Sequence, residues 1–365
     1  LYIKNIELRN FRNYDSLKLK LTPGINIFYG ENGSGKTNIL ESAYYTAMTK
    51  SFRTTEDGIM IKHGGKNLSV SLDVVNSDIE KNYLLEYDLD SRKKAVRENN
   101  SRFSRMSMAV GKIPVVLFSP DNMMMIKGDP SVRRKFIDDM LSQVDNEYLQ
   151  TLLKYTKEVS HRNYLLKGIR DGRIKQENLN VWNEQIMENG TKLLMCRAQA
   201  LGRLNTILEN ELTGGKFTIR VNYTSKIFNS FSEEDIKNSY REFFKTRVDE
   251  EIARAVTLIG PHKDDLDISY SGQHAKSFAS EGQQRITAIL IKLAEGLFIR
   301  SKRGCYPVVM LDDFSSELDE PNRGFISKTF ELFKQILITT TYKDNLKGFS
   351  PSREFMVTAG KIVEL

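Results

Sequence analysis

Gly30-Glu31-Asn32-Gly33-Ser34-Gly35-Lys36-Thr37 constrains this 365-residue chain more than any other stretch. The apolar run Ile25–Tyr29 leads into it, and a helical pattern carrying Ile39, Leu40, Ala43 and Ala47 on one face follows to about Met48. The glycines therefore sit at a strand-to-helix turn. Such a turn points successive backbone N–H groups into a concavity, reinforced by the positive end of the following helix, and phosphate oxygens fill it. The pattern calls for ATP, with the loop Gly30–Gly35 wrapping its phosphates. Lys36 reaches the β- and γ-phosphates, and the Thr37 hydroxyl ligates Mg2+.

Phosphoryl transfer is mostly positioning and electrostatics, so a carboxylate must hold the metal opposite the loop. Val308-Val309-Met310-Leu311-Asp312-Asp313 reads as a buried strand that delivers one. Asp312 is the magnesium residue of this reading. Asp313 positions the attacking water, or alternatively caps the turn that follows. The chain between Lys36 and Asp312 is too long for a compact GTPase or simple kinase, so an insertion divides the site.

The middle of the chain has the character of an insertion. Helical spacing runs over Ser131–Ile169, again from Trp182 to a stop near Gly214-Gly215, and over Ser232–Ala255. Short strands precede it at residues 3–8, 17–21, Leu68–Val75, Tyr83–Leu89 and Val115–Phe118. After it come helix Ile286–Ile299, strand Val308–Leu311, helix Asn322–Phe333, strand Ile336–Thr340 and a terminal hairpin around Gly360. The expected division is residues 1–122 and 256–365 as two parts of an α/β head, with residues 123–255 as a mostly α-helical domain inserted between them.

Ser280, with Gln283 three positions on, has the pattern of a capping box. Ser280 and the Gly282 backbone at a helix start also make a second anion site. Two such sites make sense if each completes the nucleotide pocket of another protomer.

Composition narrows the partners. Lys and Arg exceed Asp and Glu to give a net charge of +7, which permits a polyanion. Two cysteines without metal-ligand spacing argue against a disulfide scaffold or zinc site and favour a cytoplasmic setting. The apolar run Ile286–Ile299 is broken by Lys292 and Glu295 and is too short to span a bilayer, so no membrane role is expected.

These motifs, taken in order, resemble the RecF family of the ABC/SMC-like P-loop ATPase group. The match includes Ser51-Phe52-Arg53-Thr54, Leu117-Phe118-Ser119-Pro120-Asp121 and Gly128-Asp129-Pro130 with Arg133-Arg134-Lys135. It continues through His161-Arg162-Asn163, Gly260-Pro261-His262-Lys263-Asp264-Asp265, Ser280–Arg285 and Leu311–Asp319. The resemblance implies that Ser280, Gly282 and Gln283 contact the γ-phosphate held by the other subunit. It adds Asn38 and Arg53 to the nucleotide set, makes Ser316–Asp319 a D-loop at a dimer interface, and puts Ser119-Pro120-Asp121 in the Q-loop region. Thr339-Thr340-Thr341 stands where relatives have a switch histidine, so Thr340 or Thr341 would sense the phosphate. Asp313 replaces a common glutamate, which fits slow turnover, and Lys36, Asp312, Asp313 and Ser280 form the catalytic set. The implied function is an ATP-dependent homodimer that binds double-stranded DNA near single-strand gaps, acts with RecO and RecR in RecA loading, serves in the response to DNA damage, and hydrolyses ATP slowly.

Candidate phosphate-backbone contacts are Arg53, the basic residues from Arg92 to Arg105, and Arg133-Arg134-Lys135 as the best single cluster. His262 reads as part of a rigid turn or as a neighbour of nucleotide or DNA. A transporter-type ATPase subunit, a long-armed SMC-like ATPase and a partner-binding scaffold are the alternative readings.

Overall fold

The computed structural model describes residues 1–214, 217–225, 232–313, 329–341 and 350–364. In chain order its strands and helices are β1 (Tyr2–Phe11), β2 (Tyr14–Lys20), β3 (Gly24–Tyr29), α1 (Lys36–Met48), β4 (Asn67–Asn76), β5 (Ile79–Asp88), β6 (Lys93–Glu98), β7 (Ser101–Arg102), β8 (Val115–Phe118) and α2 (Met123–Lys127). There follow α3 (Pro130–Val144), α4 (Asn146–Arg170), α5 (Leu179–Thr206), β9 (Ile219–Thr224), α6 (Glu233–Thr246), α7 (Val248–Arg254), β10 (Asp265–Tyr270), β11 (Gln273–His274) and α8 (Ala275–Phe278). The last are α9 (Glu281–Arg303), β12 (Val308–Leu311), β13 (Gln335–Thr340), β14 (Arg353–Thr358) and β15 (Lys361–Glu364). The chain divides into two compact units, residues 1–126 with 279–365, and residues 127–278.

The first unit is the α/β head. One sheet, ordered β2-β1-β4-β5-β6-β7, is antiparallel, and its alternation turns Ile6, Leu8, Val70, Leu72 and Leu85 to a buried face. The other, β15-β14-β3-β13-β12-β8, is parallel except for β15. Every residue of β12 and β13 is buried, as expected of strands covered on both faces. Helix α1 packs against β1, β4 and β5 of one sheet and β8 and β13 of the other. It therefore buries residues on all its faces rather than along one stripe. Gln335, fully buried at the start of β13, ties the sheets: its Nε2 donates to the carbonyls of Ile3 (2.7 Å) and Thr22 (3.0 Å), and its Oε1 accepts from the Ile3 N–H (2.8 Å).

The second unit is mostly helical. The stretch expected as one helix over Ser131–Ile169 is two, because Asp145 takes an extended conformation and its side chain accepts from the Tyr148 N–H, capping α4. Helices α4 and α5, of 25 and 28 residues, form a hairpin about 40 Å long, far short of an SMC rod. The expected boundary at 255/256 falls instead at 278/279, and the first moves from 122/123 to 126/127. The reason is a small sheet, β11-β10-β9, in which Asp265–Tyr270 pairs antiparallel with Ile219–Thr224 and so belongs with the helices. Most of the expected helix Asn322–Phe333, and all of Ser316–Asp319, lie outside the described residues. Among the described residues no helix is long and apolar enough to cross a membrane.

Several motifs of the second unit are structural. Arg162 is fully buried against Glu251 and also donates to Asn183 Oδ1 (2.8 Å) and Thr257 Oγ1 (3.0 Å). Arg197 binds Asp138 (2.7 Å) and the Pro261 carbonyl (2.8 Å). His262 shares a 2.7 Å hydrogen bond with Tyr155 Oη, and burial lowers its pKa to about 4, so it is a neutral part of a rigid turn. At Gly260, φ is +118°, and a Cβ would lie 2.2 Å from Tyr155 Oη.

Candidate functional site

β3 delivers the chain to Gly30, where φ is +154° and a Cβ would lie 2.2 Å from the Val357 carbonyl oxygen of β14. Only glycine lets the loop pass that strand. The loop is then held from below: Asn13 Nδ2 donates to the Ser34 carbonyl (3.1 Å), the Gly360 N–H to the same oxygen (3.0 Å), and Tyr14 Oη to the Gly35 carbonyl (3.2 Å). α1 begins at Lys36 with no side-chain cap and no acidic residue in its first turn. The Asn38 N–H turns back to the Gly35 carbonyl (3.0 Å), and the N–H groups of Lys36 and Thr37 ahead of it, with the helix dipole, favour an anion there. Ser34 Oγ is buried without a hydrogen-bond partner among the described residues. An orphaned buried hydroxyl beside an uncapped helix start fits a phosphate group. The Lys36 ammonium donates to the carbonyls of Gly30 and Glu31, both at 2.8 Å. Burial lowers its pKa, while the nearby Asp313 and Asp312 carboxylates raise it.

β12 and β13 bring the far half of the chain to the same place. Thr37 Oγ1 and Thr339 Oγ1 each donate to Asp312 Oδ1 at 2.7 Å, and the Asp313 N–H donates to Thr339 Oγ1 at 2.9 Å. Asp312 is 8% exposed, and burial raises its pKa against the lowering effect of the two threonine bonds and of Arg53. A hydroxyl and a carboxylate converging this closely are the hard oxygen donors that Mg2+ takes. Asp313, next in the chain, is exposed and has φ +49°, a left-handed conformation that Asp tolerates better than most residues. The two adjacent carboxylates therefore differ in exposure, Asp312 buried and Asp313 at the surface.

Arg53 is tied to the first turn of α1. Its Nη1 donates to Asn38 Oδ1 (2.9 Å) and reaches Glu41 Oε2 (3.4 Å), while Asn38 Nδ2 donates to Asn13 Oδ1 (2.8 Å). Glu41 is fully buried and also accepts from Arg12 Nη2 (2.6 Å) and Ser51 Oγ (2.6 Å). Sequence reasoning missed Glu41, Asn13 and Tyr14, and the bond from Thr339, which precedes the expected phosphate sensors Thr340 and Thr341, to Asp312. It also missed Met356–Ala359, which with Tyr29–Ser34 line a cleft of about 430 Å3. After β8, Pro120–Asn122 form a single 3-10 turn in which Asn122 Nδ2 is buried with no partner among the described residues.

The Ser280–Arg285 segment forms the expected capping box: the Gln283 N–H donates to Ser280 Oγ (3.3 Å) and the Ser280 N–H to Gln283 Oε1 (2.8 Å). Gly282 and Gln283 are partly exposed at the start of α9, and Ser280 is exposed.

The basic candidates divide. Arg133 is buried in a bidentate pair with Asp265 (2.7 and 2.8 Å), Arg134 donates to the Asp264 carbonyl (2.7 Å), and Lys135 pairs with Asp139 (2.7 Å). The cluster expected to be the best DNA contact is therefore largely spent inside the protein. Lys94 is tied to Asp57 (2.8 Å) and Arg97 to Glu86 (2.8 Å), while Arg92, Lys93, Arg102 and Arg105 are exposed.

A family model described as the RecF/RecN/SMC N terminal domain matches residues 2–361. The chain is similar to the DNA replication and repair protein RecF of Lactococcus lactis subsp. cremoris, 35% identical over 99% of this chain and 98% of the relative. It is similar to the protein of the same name from Clostridium perfringens, 33% identical over 99% of both. Its structure resembles that of a recombination mediator protein RecF with ATP, at a TM-score of 0.92 and 29% identity over 100% of this chain and 97% of the other. An SMC head bound to a winged-helix domain of ScpA shares the fold, at a TM-score of 0.56 and 17% identity over 100% of this chain and 98% of the other.

Proposed function

Because the chain belongs to the RecF family, we propose that it is an ATP-dependent DNA-binding protein of replication and repair whose nucleotide site is completed by a second copy of itself. The observation that carries this reading is the 2.7 Å contact between Thr37 and Asp312 beside an uncapped helix start. It joins the two stretches to which this reading gives the phosphates and the metal. Relatives bearing the family name are DNA replication and repair proteins, and a solved relative holds ATP.

When bound, ATP supplies the transferable phosphoryl group and Mg2+ neutralises charge between its phosphates. Thr37 and Asp312 would hold the metal. Lys36 exchanges its bonds to the Gly30 and Glu31 carbonyls for phosphate oxygens, a switch between two sets of acceptors for one buried ammonium. Asp313, open to solvent, orients a water and takes its proton. Arg53, held by Asn38 and Glu41, adds positive charge beside Asp312. Ser280, Gly282 and Gln283 present the start of α9 to the nucleotide of the partner protomer, and the capping box keeps that helix end rigid. Closure of the dimer then commits the protein to duplex DNA near single-strand gaps, and slow hydrolysis releases it. RecO and RecR are the proposed protein partners in RecA loading.

Titration with a fluorescent ATP analogue, with hydrolysis measured in parallel, tests the site. Lys36→Ala should lose binding. Asp313→Asn should keep binding while turnover falls by roughly a hundredfold or more. Wild-type turnover in Asp313→Asn would remove Asp313 from the mechanism, and wild-type affinity in Lys36→Ala would refute the site itself.

A further inference from the structure

The segment Leu153–Lys175, which forms most of α4 and the turn after it, carries seven Lys and Arg against two acids, a net +5 in a chain whose total is +7. Burial sharpens the imbalance. Glu158 faces inward, where Asn189 Nδ2 donates to both its oxygens at 2.9 Å, and Arg162 is enclosed with Glu251. What remains outside is Lys154, which reaches Glu158 at 3.8 Å, and Lys157, Lys167, Arg170, Arg173 and Lys175 against Asp171, which is shared by Arg170 and Arg173. Lys157, Lys167 and Lys175 have no carboxylate within ion-pair range among the described residues.

The arrangement is a stripe as well as a count. Lys157, Ser160, Tyr164 and Lys167 follow one another at helical spacing on the exposed face of α4. Tyr164, 67% exposed, stands between the two lysines. His161 flanks the stripe and stacks on Trp182 of α5 with ring centroids 5.0 Å apart, which fixes that edge. Glu184 of α5, two positions beyond Trp182, is rotated about 200° away from it. From Lys154 to Arg170 the face runs about 24 Å, the rise of roughly seven base pairs. Lysines with a tyrosine hydroxyl between them suit phosphate oxygens, which accept from both.

We propose that this face of α4 is a docking surface for the phosphate backbone of duplex DNA, resting on the reading of the protein as a DNA-binding ATPase. It contacts the polyanion without reading sequence, and the segment is separate from the ATP site in the chain.

The test measures anisotropy of a labelled duplex with the full chain and ATP, over a range of salt. The variants are Lys157→Ala/Lys167→Ala and, with charge kept, Lys157→Arg/Lys167→Arg. ATP affinity and Trp182 fluorescence check that each variant is folded. The neutral variant should bind about tenfold more weakly, and its log K against log salt slope should be shallower by ~1.8. The arginine variant should retain wild-type binding. If wild type binds duplex and the neutral variant matches it in affinity and slope, the proposal is wrong while the functional reading stands, and the face is left to an acidic protein partner. If wild type itself fails to bind duplex with ATP, both fall together.

Discussion

Replacing Glu251 by Ala leaves the Arg162 guanidinium inside the helical unit without a counter-charge. Both side chains are completely buried, and the other bonds of Arg162 go to the neutral oxygens of Asn183 and Thr257. The Phe244 ring, 4.6 Å from the guanidinium, offers only a weaker attraction. The same substitution removes the acceptor of the Leu258 N–H, now 2.8 Å from Glu251 Oε1. Breaking a buried ion pair on one side destabilises by about 3–5 kcal/mol. Urea unfolding followed by the fluorescence of Trp182 reads this directly. That residue is the chain's single Trp, and it adjoins Asn183 in the network. With a slope of about 2 kcal/mol per M, the midpoint should fall by about 2 M. Arg162→Met combined with Glu251→Leu removes both charges and should restore most of the loss. A single-variant shift below about 0.5 M, or a double variant as weak as the single, would refute the reasoning.

The loop that follows should show opposed pH responses. Burial lowers the His262 pKa to about 4 and raises that of Asp264 to about 6. Below its ordinary value of 6.5, His262 takes a proton in the unfolded chain before it does in the fold, so its effect weakens the fold by up to about 3 kcal/mol as pH falls to 4. Asp264 weakens the fold in the other direction, as pH rises from about 4 to 6, by about 3 kcal/mol. Relative to wild type, His262→Gln should therefore gain stability on acidification through that window and Asp264→Asn should lose it. Parallel urea midpoints for all three proteins between pH 4 and 6 would contradict this. At the nucleotide site, Glu41→Gln removes the charge that gathers Arg12, Ser51 and Arg53. ATP affinity by calorimetry should weaken by roughly tenfold, on the scale of one charge-assisted hydrogen bond. Unchanged affinity would show that Glu41 does not position Arg53.

The phosphate loop was legible because its requirements are local: glycines at a turn, an apolar strand before them, a helix after. Asp312 was legible for a similar reason, as the polar end of a four-residue apolar strand. The props were not. Asn13 and Tyr14 touch the loop only because the turn from β1 to β2 is brought to the start of α1, and Val357 and Gly360 reach it only because β14 pairs with β3 across more than 300 positions of chain. Strand order is a long-range property that spacing does not encode. The basic cluster misled for the same reason: Arg133 looks solvated beside Arg134 and Lys135, and its partner Asp265 lies far along the chain. The sheet β11-β10-β9 moved the domain boundary, since β9 and β10 are separated by two helices in sequence and joined only in space.

The central claim, that each nucleotide pocket is shared between two copies of the chain, is tested most directly by mixing two defective variants. Lys36→Ala removes the loop half of both sites in a homodimer, and Ser280→Arg removes the α9 half. A heterodimer of the two holds one site with both defects and one with neither. ATP-dependent dimerisation and ATP hydrolysis, followed by mass photometry and phosphate release, should be absent in each variant alone and regained in part by the mixture. Wild-type dimerisation and turnover by Ser280→Arg alone would contradict the shared site, and so would a mixture no more active than its separate components.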